Sequence, residues 1–176
     1  LIECAKKHIS LGIHRAAVNV ICPEEHINQL ETVFTRTKPN YFPDEFYLHL
    51  DSTGSCAIEN AIKACYKYKV KQLYGTDVNN RADDALKNNT PELKMLSFSG
   101  GFHGRTIGAL SVSRSNALHK ADFPAFQNWD SLSFPQYKYP LDEHTEYNKL
   151  EDDKCLNLLK IELAYNSKLT AGLVVE

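Results

Sequence analysis

Two short runs set chemically useful side chains beside glycine. The first is Thr53-Gly54-Ser55-Cys56, between an alternating stretch (Tyr47-Leu48-His49-Leu50) and an apolar-periodic one that begins at Ala57. Glycine lets backbone approach a ligand closely, and a helix start offers outward N–H groups and a positive dipole end. A serine hydroxyl there can donate to a phosphate oxygen. Hydrogen bonds to charged groups contribute about 1.5–3 kcal/mol each, so two or three converging donors make an anion site. The run is neither G-x-x-x-x-G-K-[ST] nor G-x-G-x-x-G, so nucleotide binding gains no support. The same residues also read as a serine N-cap beside a tight turn, the simpler reading on local sequence alone.

The second run is Ser99-Gly100-Gly101-Phe102-His103-Gly104-Arg105-Thr106. So much glycine makes a poor element interior but a good ligand-facing loop. An aromatic ring on such a loop can stack on a flat cofactor, and arginine can fork onto a carboxylate. The alternative makes Phe102 a core residue, His103 a satisfied structural group and Arg105 a surface charge at a helix start. Glu176 closes an apolar run, Ala171-Gly172-Leu173-Val174-Val175. Its carboxylate could pair with Arg105 or stand exposed, and spacing does not decide.

The elements that must position these residues follow from periodicity and breakers. Ile2, Ala5, Ile9 and Ile13 have near-helical spacing. Pro23-Glu24-Glu25 opens a second helix, which runs through Ile27, Leu30 and Phe34 to Lys38-Pro39-Asn40. Residues 47–50 read as a strand, and residues 57–68 as a helix with Ile58, Ala61, Ile62 and Cys65 on one face. The Asn- and Asp-rich stretch from Gly75 to Thr90 reads as a polar connection. Leu93 to Phe98 is a strand candidate, Arg105 to Ser111 a helix start, and Phe123 to Leu141 an aromatic-packed loop. Asp142 to Ser167 reads as an amphipathic helix with Leu156, Leu159 and Leu163 inward, leading to a last strand at Leu173. Strand, loop and helix in this alternation predict an α/β layer with a parallel sheet, where ligands bind beyond the carboxyl ends of the strands.

Composition narrows the function. The 176 residues are 43% hydrophobic and 24% charged, enough for one core and too balanced for disorder. Twenty Lys+Arg against 22 Asp+Glu leave a formal charge of −2, with no electrostatic footprint for nucleic acid. No apolar run reaches the roughly 20 residues that span a bilayer. The five cysteines are widely spaced without a C-x-x-C pair, which fits reduced thiols better than disulfides or structural zinc. A start at Leu1 and a stop directly after an apolar run read as a piece of a longer chain, so an absent leader proves nothing.

The motifs resemble a known family. Gly54-Ser55 followed by Glu59-Asn60-Ala61-Ile62-Lys63 resembles the phosphate-binding loop and helix of class III pyridoxal-phosphate aminotransferases. Phe102-His103-Gly104-Arg105-Thr106 resembles their cofactor-stacking loop, and Val174-Val175-Glu176 their strand that usually continues as Glu-Pro. Residues 119–126 and 138–141 look most like the eukaryotic 4-aminobutyrate branch. The resemblance is good from about His49 onward and weak before that. It implies part of the large cofactor-binding domain of a fold-type I enzyme over residues 1–176, with the segment before about 47 uncertain.

By that resemblance Gly54 and Ser55 hold the pyridoxal 5'-phosphate phosphate, Phe102 stacks on the ring with His103 nearby, and Arg105 holds the substrate carboxylate. Glu176 matches the acid that shapes the substrate pocket and pairs with arginine. The implied reaction moves an amino group from 4-aminobutyrate to 2-oxoglutarate, giving succinate semialdehyde and glutamate. A homodimer in the mitochondrial matrix is implied too, the cytoplasm being the alternative. The lysine that bonds the cofactor lies beyond Glu176 in the family, so no lysine here takes that role and this chain alone is expected to be inactive. Animal members of the branch often flank Gly-Ser with cysteines for an iron–sulfur cluster; Cys56 matches one, but Thr53 stands in place of the other. Alternatives are a lysine- or ornithine-type ω-aminotransferase and a non-catalytic α/β binding module.

Overall fold

The computed structural model describes residues 3, 6, 7, 10, 24–37, 49, 51–75, 92–126 and 128–176. The chain divides into two compact units, Leu1–Ala57 and Ile58–Glu176. In the first, α1 spans Glu24–Thr37, as the Pro-Glu-Glu start and the Lys-Pro stop predict. Leu30 and Phe34 are half-buried among exposed neighbours, the expected face. The Tyr47–Leu50 strand lies outside the described residues except for His49, which is not in a strand. The stretch after Gly75 and most of the first helix also lie outside them.

Helix α2, Gly54–Tyr74, starts at the glycine motif and is longer than its apolar spacing suggested. Ile62 is buried and Ile58 and Cys65 are half-buried, whereas Ala61 faces solvent. The second unit is built on strand β1 (Lys94–Phe98), followed by helix α3 (Ile107–Val112), strand β2 (Ser131–Leu132), helix α4 (Thr145–Asn166) and strand β3 (Thr170–Leu173). β1 lies between β2 and β3, and both pairings are parallel. Met95, Leu96 and Ser97 are buried in succession, the pattern of a parallel strand covered on both faces. Ile62, Met95, Val112 and Trp129 form the core, with Tyr66, Cys65 and Val174 against it. At Gly172 the packing is so close that a Cβ would stand 2.8 Å from Cys65 Sγ.

Two expectations need correction. The aromatic-packed segment from Phe123 to Leu141 contains a regular element after all, β2, because Asp130 and Leu132 carbonyls accept from the Ser97 and Ser99 N–H groups. Phe126 stacks on Trp129 at 4.6 Å there, and Phe134 meets Phe98 edge-on. In α4, Leu156 and Leu163 are exposed and only Leu159 is half-buried. The inward stripe is instead Asn148, Asp152, Cys155, Leu159, Glu162 and Asn166. Polar bonds fix this face: Asn148 accepts from Lys138 N–H at 2.8 Å and donates to its carbonyl at 3.0 Å. Lys94 Nζ reaches Glu162 at 2.7 Å and also pairs with Asp130.

Candidate functional site

Because all three strands run parallel, their carboxyl ends share one edge of the sheet, and the chain leaves each there as a loop. From β1 it enters the glycine run, from β2 it reaches Phe134, and from β3 it continues as Val174-Val175-Glu176. These segments enclose a cleft of 250 Å³ lined by Phe98, Ser99, Gly100, Gly101, His103, Phe134 and Glu176. The Glu176 carboxylate accepts the Phe102 N–H at 2.6 Å, which ties the β3 exit to the β1 loop.

The loop is fixed from below. Ser113, fully buried, accepts the His103 N–H at 2.9 Å, and its own proton faces the Gly104 and Ala109 carbonyls at 3.0 and 2.9 Å. Arg114 N–H donates to the Gly101 carbonyl at 2.7 Å, and its guanidinium reaches Ser97 Oγ. Gly100 and Gly104 have φ of 89° and 124°, conformations that side chains rarely adopt. A Cβ on Gly101 would meet His103 Nε2 at 2.9 Å. Three glycines therefore let the loop fold tightly over the histidine.

His103 is buried, and burial pushes its imidazole below the ordinary value while the Glu176 charge pulls the other way. Burial thus outweighs the Glu176 charge and favours the neutral ring. Phe102 turns a ring 43% exposed outward, with His119 edge-on at 5.7 Å. Arg105 is exposed, two residues before α3. The structure brings Phe102, His103 and Glu176 into one constellation, with Arg105 at the end of the same loop.

Gly54 and Ser55 belong to the other unit, as the first two residues of α2. The cap is Thr53 rather than a serine: its Oγ1 accepts from Cys56 N–H at 3.2 Å and its carbonyl from Ala57 N–H at 3.0 Å. Gly54 and Ser55 are then the first two residues of the helix, and no acidic residue stands in that first turn. Ser52 Oγ lies 3.7 Å from Cys56 Sγ. Among the described residues no group of three or more His, Cys, Asp or Glu is placed to hold a metal ion.

Sequence reasoning gave no role to Ser113 or to Glu59, whose carboxylate receives the first N–H groups of α3. Glu59 stood inside a quoted motif, yet its partners lie 49 and 50 positions away.

Comparison with known proteins decides the family. The family described as Aminotransferase class-III matches residues 4–176. The chain belongs to the class III aminotransferases. This is a family of pyridoxal-phosphate-dependent enzymes. The class III relatives include a 4-aminobutyrate aminotransferase of Dictyostelium discoideum, 36% identical over 183 residues covering 100% of this chain and 36% of that one. The human mitochondrial 4-aminobutyrate aminotransferase is 30% identical over 178 residues, 97% of this chain and 35% of its own. The chain thus spans about a third of the length of these relatives. A solved lysine aminotransferase from M. tuberculosis superposes with a TM-score of 0.70 over 100% of this chain and 37% of that one, at 21% identity. That likeness carries the fold, a fold-type I α/β layer. No helix among the described residues is long and apolar enough to cross a membrane.

Proposed function

We propose that this chain forms part of the cofactor-binding domain of a 4-aminobutyrate aminotransferase, which passes the amino group of 4-aminobutyrate to 2-oxoglutarate. The products are succinate semialdehyde and glutamate. The observation that carries the reading is the cleft at the strand ends, where Glu176 grips the backbone of Phe102 beside a buried His103. The names and 30–36% identity of the relatives support the choice of donor.

Within this reading Gly54 and Ser55 hold the cofactor phosphate through the N-terminus of α2. Phe102 supplies a flat apolar face to the ring, and His103 stays neutral beside it. Arg105 binds the substrate carboxylate as a planar fork, which sets the direction in which the amino group points. Glu176 keeps the loop in place and puts negative charge at the cleft wall. Pyridoxal phosphate, when bound, supplies the electron sink that makes the carbon next to nitrogen acidic. The reading includes a homodimer in the mitochondrial matrix, and no turnover by the 176-residue chain by itself.

The test uses purified full-length protein supplied with pyridoxal phosphate, 2-oxoglutarate and one donor at a time, with glutamate measured as product. 4-Aminobutyrate is expected to exceed lysine and ornithine in kcat/KM by at least about tenfold, a difference of about 1.4 kcal/mol in transition-state binding. Preference for lysine or ornithine overturns the donor, and no glutamate from any of them overturns the activity.

A further inference from the structure

Helix α3 starts without a cap of its own. Thr106 precedes it in extended backbone, φ −66° and ψ 158°, and makes no side-chain capping bond. Six residues are too few to hold a helix by themselves, so its first N–H groups need outside acceptors. Glu59 of α2 provides them. Its Oε1 accepts from Gly108 N–H at 2.7 Å and from Ala109 N–H at 3.1 Å. Gly108 and Ala109 are buried, Glu59 is half-buried, and a Cβ on Gly108 would overlap the carboxylate. A negative charge also suits the positive end of the helix.

This clamp sits directly behind the substrate-facing end of the loop. The Thr106 carbonyl accepts from Leu110 N–H at 2.6 Å to close the first turn, and Arg105 is the residue before Thr106. If the turn opens at Gly108 and Ala109, the backbone that aims Arg105 is released. We propose that Glu59 is a positioning residue, which locks the first turn of α3 and through it directs Arg105 toward the substrate carboxylate. The proposal rests on the reading of Arg105 given above.

The experiment compares full-length wild type with Glu59→Ala, Glu59→Gln and Glu59→Asp. It measures amide hydrogen exchange over residues 105–112, KM for 2-oxoglutarate, kcat, and cofactor retention. Glu59→Ala is expected to speed exchange at Gly108 and Ala109 about tenfold and to raise KM about tenfold, with kcat and cofactor retention within about twofold. Glu59→Gln, whose amide oxygen still accepts, restores most of both, and Glu59→Asp falls between. Faster exchange with unchanged KM overturns the proposal, as does a parallel loss of KM, kcat and cofactor, or a glutamine variant no better than alanine. Should Glu59→Ala fail to fold, the glutamine and aspartate variants carry the same comparison. Absence of amino transfer in the wild type sinks the functional reading instead, while equal exchange in wild type and the Glu59 variants sinks the clamp whatever the activity.

Discussion

The Ser113 hydroxyl has one proton and two lone pairs, and the loop that carries Phe102 and His103 uses them from the buried side. Ser113→Ala leaves the His103 N–H and the Gly104 carbonyl unmatched in a dry place. It is expected to cost about 1–3 kcal/mol, read as a lower denaturant midpoint at unchanged slope. Arg105 is a different case, because it is exposed and, in the proposed reading, acts through the shape of its donor group. In the full-length protein Arg105→Lys replaces a fork by a point charge, so KM for 2-oxoglutarate is expected to rise about tenfold or more while cofactor affinity holds. Equal loss of both, measured by titrating cofactor into the apoenzyme, would make Arg105 structural. The loop that carries Phe102, His103 and Arg105 was legible because glycine spacing marks it locally. Ser113 looked like any serine in a Ser-Val-Ser-Arg stretch, and only its tertiary position reveals its work.

Between elements the same contrast recurs. β1 and β3 were readable because a short, largely apolar run too brief for a helix has few other ways to be buried. β2 was not, since a two-residue strand leaves no period, and its pairing comes from the carbonyls of Asp130 and Leu132. α4 was found as a helix, but its leucines misled. Its packed face is held by Asn148 and Glu162 through polar partners on the 134–138 loop and β1, which hydrophobic spacing cannot register. Gly108 gives a test at this scale. Alanine inside an exposed helix normally gains about 1 kcal/mol over glycine. Here Gly108→Ala is expected to destabilise by about 1–3 kcal/mol, because the new methyl group displaces the Glu59 carboxylate. A rise in melting temperature would show that Glu59 swings aside freely.

At the scale of the whole molecule, pH reaches a buried and a half-buried group with opposite sign. His103 binds its proton less readily folded than unfolded, chiefly through burial. Its neutral ring therefore contributes stability that is complete above about pH 6.5, the ordinary histidine value, and is lost as pH falls through the lower folded value. For Lys94, burial alone would ease deprotonation, but Asp130 and Glu162 outweigh it and raise its pKa. That contribution is complete below about pH 10.4 and is lost as pH rises through the folded value. A stability plateau is expected between these limits, with His103 governing the acid side and Lys94 the alkaline side. Lys94→Met should lower the plateau by about 1–3 kcal/mol, because Glu162 keeps its charge on a side chain only 19% exposed and loses its cation. It should also flatten the alkaline limb. His103→Gln should leave the alkaline limb intact and flatten the acid one. Denaturant midpoints of the three chains between about pH 5 and pH 11 separate these effects, and an acid limb that survives His103→Gln would assign the loss to carboxylates instead.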